Sequence, residues 1–346
     1  MLPRPTHNLL RRLRIALSCG TCVVSCAMIC SCSNPEVPAL TNRQTRINID
    51  WSGFSKEVPT GMTVMCRNTK TDEIVQTISN NILAVTPTLP IGQYHITVFN
   101  LSEKEFDNIN FQGLGTTDCA AVAAEKDAPQ WHPHPADGDK YIAREPEWLA
   151  ADMTLTEPVE NIPTGSMTEP DTIGTLHPKN IIHSLHLTIL TENISNIRAV
   201  RAAISGLAAT RNLDGTPQPN NRLTVTHIID SEQWSRQSLP SASDSGKLTA
   251  NLRCFGLPAN HNATPEENRL ELQIMLADGK TVKQFLFPIG NLISGNTDSP
   301  NRRGDNLDLF LELRLDPPLP PASTGNSGID AWIDDWDDYI DFNIPI

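Results

Sequence analysis

Apolar and polar residues alternate with a period of two along nearly every readable stretch of this chain. Ile47, Ile49 and Trp51 are interleaved with Arg46, Asn48 and Asp50; Met62, Val64 and Cys66 with Thr63 and Met65; Tyr94, Ile96 and Val98 with Gln93, His95 and Thr97. Successive side chains of a strand point to opposite faces, so each stretch predicts a strand with one face in a core and one towards water. The second half repeats the pattern with Leu185, Leu187 and Ile189, then with Leu248, Ala250, Leu252 and Cys254, then with Leu270, Leu272, Ile274 and Leu276. The last of these runs into Asp278-Gly279, a hairpin turn pair, and Val282 to Phe287 return from it. Leu307 to Leu315 alternates once more.

Two stretches read differently. From 126 to 180 prolines recur at Pro129, Pro133, Pro135, Pro146, Pro158, Pro163, Pro170 and Pro178, which predicts a long loop, one late strand at Ala151-Met153-Leu155, and then a linker. In Ile194 to Ala209 a helical spacing competes with alternation; Val200, Ala202 and Ile204 favour a strand, with a bulge at Gly206. Short alternating strands separated by turns predict an all-β fold of sandwiches. The expected organisation is a leader over 1–31, a tether over 32–44, an N-terminal sandwich over 45–165, a linker over 166–180 and a C-terminal sandwich over 181–318. Residues 319–346 complete it as a proline-rich linker and a tail. In that tail Trp332, Trp336, Ile340, Phe342 and Ile344 share the even positions with Asp334 and Asp338, a strand pattern suited to binding a partner or to packing on the chain's own sandwich.

The leader has its own logic. Arg4, Arg11, Arg12 and Arg14 precede the mostly apolar Ile15 to Ile29, and small residues and cysteines follow before Asn34-Pro35-Glu36. That is a charged, an apolar and a cleavage region, too short and too rich in Ser, Gly and Cys to span a membrane. Ile29-Cys30-Ser31-Cys32 and Val23-Val24-Ser25-Cys26 both resemble the approach to an acylated cysteine; Cys32 is favoured because polar chain starts directly after it. Acyl chains on Cys32 would tether the protein to a membrane.

Charge and motifs narrow the function. The chain carries 27 Lys and Arg against 40 Asp and Glu, net −13, and the leader holds four of the arginines and no acid. Nucleic acid is excluded as a partner, since phosphate binding needs a basic patch. No phosphate-binding loop, dinucleotide fingerprint or zinc-protease helix is present, so no cofactor is expected and the reading is of a non-enzyme. His132 and His134 lie in a proline-rich loop without a third ligand; His183 and His186 fall on opposite faces of a strand; Gly325-Asn326-Ser327-Gly328 lies in the linker. Cys66, Cys119 and Cys254 are the cysteines beyond the leader, and buried free thiols or a Cys66–Cys119 bridge both fit.

Several of these pieces together resemble the fimbrillin-type lipoproteins of gut and oral Gram-negative anaerobes, in particular their anchor-like branch. They are the leader cysteines, Ile49-Asp50-Trp51-Ser52, Leu89-Pro90-Ile91-Gly92-Gln93-Tyr94, Pro146-Glu147-Trp148-Leu149, Ile204-Ser205-Gly206-Leu207-Ala208, Cys254-Phe255-Gly256-Leu257, and the final strand with its acidic tail. The resemblance implies two tandem transthyretin-like β-sandwich domains, a place at the outer membrane or cell surface, fimbrial subunits as partners, and a role in anchoring or capping a fimbria. Cys32 is followed by Ser33-Asn34-Pro35-Glu36 rather than by a run of acids, which leaves the membrane face open. Asp171-Thr172-Ile173 resembles the O-glycosylation sequence of such anaerobes, with Thr172 as acceptor. The alternative function is a glycan- or protein-binding surface lipoprotein unrelated to fimbriae, for which Trp131, Trp148 and Trp234 are the candidate aromatic platform; a third reading is a hydrolase whose paired carboxylates or serine–histidine pair converge only in space.

Overall fold

The computed structural model describes residues 42–54, 57–156, 158–159, 170–218, 222–239, 244–259, 267–295 and 307–322. The N-terminal half holds β1 (Arg43–Ile49), β2 (Met62–Asn68), β3 (Ile74–Ser79), β4 (Ala84–Val85), β5 (Thr88–Leu89) and β6 (Tyr94–Asn100). It continues with β7 (Ile109–Gln112), β8 (Ala120–Ala123), β9 (Ile142–Ala143), β10 (Ala150–Leu155), β11 (Asp171–Leu176) and β12 (Lys179–Asn180). Two sheets form a facing pair here, β11-β1-β4 and β12-β10-β6-β2-β3. The alternation does what it predicts: Ile47 and Ile49 of β1, Val64 and Cys66 of β2, and Ile96 and Val98 of β6 all turn into one buried cluster. Trp51 closes one end of it, its indole Nε1 donating to the Ile82 carbonyl at 2.8 Å.

The C-terminal half holds β13 (His183–Glu192), β14 (Ile197–Ala208), β15 (Thr210–Asn212), β16 (Thr224–Ile229), β17 (Ser235–Ser238), β18 (Ser245–Cys254), β19 (Arg269–Leu276), β20 (Val282–Pro288), the short helix α1 (Gly290–Gly295) and β21 (Leu307–Arg314). Its facing sheets are β17-β18-β13-β21 and β20-β19-β14-β16-β9. Leu185, Leu187, Leu248, Leu252, Leu272, Ile274 and Leu311 fill the space between them. The bulge expected at Gly206 is present. The β14–β16 register shifts between Ile204 and Leu207, Gly206 has φ +77°, and a Cβ there would collide with the Glu267 carbonyl oxygen. No L side chain fits that approach. Asp278-Gly279 turns β19 into β20 as expected, with Gly279 at φ +67°.

Three expectations need correction. Residues 171–180, read as linker, carry β11 and β12: β11 lies parallel to β1 and buries Leu176 fully. The loop read as part of the N-terminal sandwich is a strap laid on the C-terminal sheets, and its β9 is a parallel strand beside β16. Leu319 and Pro320, taken as the start of a linker, fold back onto the C-terminal core: Leu319 is only 2% exposed, and Asn193 and Asn196 donate side-chain hydrogen bonds to the Leu319 and Pro320 carbonyls at 2.5 and 2.9 Å.

The strap shows how the halves are joined. The Asp139 carboxylate accepts hydrogen bonds from the Gly206 amide and, at 2.6 Å, from the Thr226 hydroxyl. Glu145 accepts from the Arg253 amide and guanidinium and from the Gln233 amide group, and Lys126 pairs with Asp230 at 2.7 Å. Trp131 lies under the buried Arg201 guanidinium, 4.5 Å from ring centroid to Cζ, while Arg201 Nε donates to Gln273. A third core sits at the junction, drawing Phe99, Phe106 and Leu149 from one half and Leu213, Val225 and Phe255 from the other. The small sheet β15-β8-β7 crosses the same boundary. The described residues from Arg43 onward form one compact unit.

Candidate interaction site

A groove lies along one side of the C-terminal sheet pair. There β20 ends one sheet and β21 ends the other. The groove, of about 500 Å³, runs between β20, lined by Lys283, Phe285 and Phe287, and the folded-back segment, lined by Asp316, Pro317 and Leu319. Among the described residues β20 and β21 each have a sheet neighbour on one side alone, which leaves an edge of the kind that can receive another strand.

The side chains fit that use. Phe285 and Phe287, stacked with centroids 6.4 Å apart, turn towards the core and form a half-buried apolar wall. Leu286, on the opposite face, is 60% exposed. Gln284 is held by its amide group donating to Glu271 at 2.7 Å, and Lys283 is the cation on this stretch of edge. On β21, Phe310 is 50% exposed and stacks on His186 of β13, centroids 4.6 Å apart. By contrast β17, the far edge of the same sheet, is short and wholly polar: Ser235-Arg236-Gln237-Ser238.

The residues singled out in the sequence fare unequally. Cys32, Cys26 and the tail residues Trp332, Trp336, Ile340, Phe342 and Ile344 lie outside the described residues, as does Gly325-Asn326-Ser327-Gly328. Thr172 is exposed on the edge strand β11, in a sheet rather than a linker. None of the three tryptophans forms an open platform: Trp131 is covered by Arg201, Trp148 packs edge-on against Phe54, and Trp234 packs on the C-terminal core. His132 turns its ring towards Glu271, 3.7 Å away, and the described residues hold no cluster of metal-ligating groups. The Phe285–Phe287 wall and the folded-back Leu319 were missed, because whether a strand is an edge depends on pairing and not on its own alternation.

The thiols carry no chemistry. Cys66, Cys119 and Cys254 are buried and free, so the Cys66–Cys119 bridge is not formed; Cys66 lies in the N-terminal core and Cys119 in the junction core. Burial pushes Cys66 and Cys119 up to about 12 and Cys254 to about 11. All three are therefore protonated at neutral pH and poor nucleophiles. His227 of β16 is fully buried, with no hydrogen-bond partner for either ring nitrogen among the described residues, and burial lowers its pKa to about 4.

Facing sheets with their cores between them and open edges at one side define an all-β sandwich protein. The chain belongs to the family described as a domain of unknown function, DUF5119, which matches residues 32–227. Among solved structures it is similar in fold to a "putative adhesin" from Bacteroides thetaiotaomicron, with a TM-score of 0.50 at 10% identity over 79% of this chain and 92% of that one. The comparison also returns a "putative adhesin" from Bacteroides ovatus, TM-score 0.49 and 14% identity over 81% and 94%. A third is the fimbrial anchor protein Mfa2 from Porphyromonas gingivalis, TM-score 0.47 and 12% identity over 79% and 90%. A comparison with curated proteins gave no match. No helix among the described residues is long and apolar enough to cross a membrane.

Proposed function

We propose that this protein is a non-catalytic, lipid-anchored module of the cell envelope that holds a surface fibre or a similar adhesive partner by strand addition. The observation that carries the reading is the open edge of β20, seven residues long, beside an apolar groove and guarded by a single lysine. Natural sheets shield such edges unless they are used. An extended segment with alternating apolar side chains is the occupant that fits. Backbone hydrogen bonds to β20 would give affinity, and pockets beside Phe285 and Phe287 would give selectivity.

The chain also has a segment able to supply a strand. Residues 330–346 set six aspartates among Trp332, Trp336, Ile340, Phe342 and Ile344, and these acids would keep an unpaired strand soluble. The adhesin described for the Bacteroides thetaiotaomicron protein of similar fold agrees with this role. Two tandem sandwich domains would then form the body between a tether at Cys32, where the family match begins, and the partner. Thr172, exposed on β11, stays a candidate for O-glycosylation.

Two variants test the reading. Cys32→Ser should release the protein from membranes and abolish metabolic labelling with a palmitate analogue; continued labelling would move the anchor to Cys26, and a native chain that takes no label would remove it. Deletion of 325–346 should leave the unfolding midpoint nearly unchanged and cut recovery of the crosslinked partner. A deletion that costs several kcal/mol would make the tail a packed core element instead.

A further inference from the structure

In both sheet pairs the strand through which the chain enters lies beside, and parallel to, the strand through which it leaves. The N-terminal pair is entered by β1 and left by β11, followed only by the two-residue β12; Thr45 pairs with Asp171 and Ile49 with Leu176. Apart from the strap strand β9, the C-terminal pair is entered by β13 and left by β21, aligned over eight consecutive residue pairs from His183–Leu307 to Leu190–Arg314. Parallel neighbours cannot be joined by a short turn, so this arrangement is a feature of the topology in each half.

Tension between the two chain ends would draw β13 backward and β21 forward. Parallel neighbours pulled from opposite ends share the load over every ladder bond at once, whereas neighbours pulled from adjacent ends separate bond by bond. Resistance to such forced opening is set by the barrier to unfolding, not by equilibrium stability. Side chains raise that barrier further. Leu185, Leu187 and Ile189 lie opposite Leu309, Leu311 and Leu313, so a slip of one residue would turn all three leucines of β21 outward. Beyond β21 the exit is pinned again by buried Leu315 and Leu319 and by the Asn193 and Asn196 hydrogen bonds.

We infer that the fold is built to bear tension between its two ends, with β13–β21 as the stronger lock and β1–β11 as the one that yields first. The β1–β11 ladder has five pairs, is broken by a register shift between Arg46 and Ile47, and sets Ile47 against Gly174, which offers no side chain. Its compensation is the ion pair between Arg43 and Asp171 at the entry. This property rests on the anchoring role for its purpose alone. It is read on the isolated chain, so it can fail while partner binding stands, and the reverse.

Single-molecule pulling on the full chain tests it in two geometries. Held by its two ends, the chain should open at a force several-fold higher than when held at Glu192→Cys and the C-terminal end. The second geometry loads the β13–β21 ladder from adjacent ends and unzips it. Equal forces would overturn the inference. A disulfide between the paired positions, Arg46→Cys with Thr172→Cys, should erase the lower-force event of end-to-end pulling and keep the higher one. Loss of the higher event would reverse the assigned order.

Discussion

The two sheet pairs have the same plan and different execution. In the C-terminal pair the entering and leaving strands match without interruption, and the core between the sheets is almost entirely leucine, isoleucine and valine. In the N-terminal pair the equivalent ladder is short and bulged, and the core mixes Trp51, Met62, Cys66 and Tyr94 with its aliphatic residues. The difference teaches that the half with the open groove also has the more regular frame. A strand added at β20 would be received by a sheet in which β20 is already aligned with β19 over its whole length, from Arg269–Pro288 to Met275–Val282.

The largest expected effect comes from breaking the better frame. Leu311→Ala, in the middle of β21 and buried, should cost about 4 kcal/mol, the cost of an unfilled core cavity. Ile173→Ala, its counterpart in the bulged β11, should cost about half of that, because Ile173 sits at the rim of its core. Denaturant melts of both variants check the ratio; equal losses would remove the contrast.

Acid should act next. His227 has its folded-state pKa lowered from 6.5 to about 4, so between those values the unfolded chain binds a proton that the folded chain does not. The stability it allows is complete above about pH 6.5 and is lost as pH falls through about 4, some 3 kcal/mol in all. Stability measured from pH 7 to 4 should decline more steeply for the native chain than for His227→Leu. Because β16 lies between the C-terminal core and the strap, loss of strap protection in hydrogen exchange should accompany the decline.

Smaller effects sharpen the comparison at its joints. Asp139→Ala removes the acceptor of the Gly206 amide and the Thr226 hydroxyl and should cost about 2 kcal/mol, with proteolysis appearing first within 126–145. Asp171→Asn weakens the half-exposed pair with Arg43 and should cost about 0.5 kcal/mol in melts.

Much of the frame was readable from alternation alone. Strands β13, β18, β19 and β21 sit where leucine and polar residues alternate, and the bulge at Gly206 and the turn at Asp278-Gly279 follow from glycine's freedom at positive φ. What escaped has physical reasons. In β11 the extra residue opposite the Arg46–Ile47 step puts its two buried side chains, Ile173 and Leu176, three apart, so the period of two disappears. The strap is held by Asp139, Glu145 and Lys126, whose partners lie many residues away and leave no local pattern. Leu319 looks like linker because prolines flank it; only the third dimension shows the core it plugs. The groove escaped for the same reason, being made by β20, an edge only once the other strands have paired, and by the segment that folds back after β21.

The claim that the C-terminal edge receives a partner is tested most directly by a photo-crosslinking residue at Leu286, with a second at Leu83 in the N-terminal half as the comparison. Both positions are strongly exposed, at 60% and 66%, so reactivity towards solvent is matched. In intact cells the Leu286 probe should join this chain to one discrete partner, and the Leu83 probe should not. Discrete adducts from Leu83 with none from Leu286 would contradict the account and move the interaction site to the N-terminal sheets.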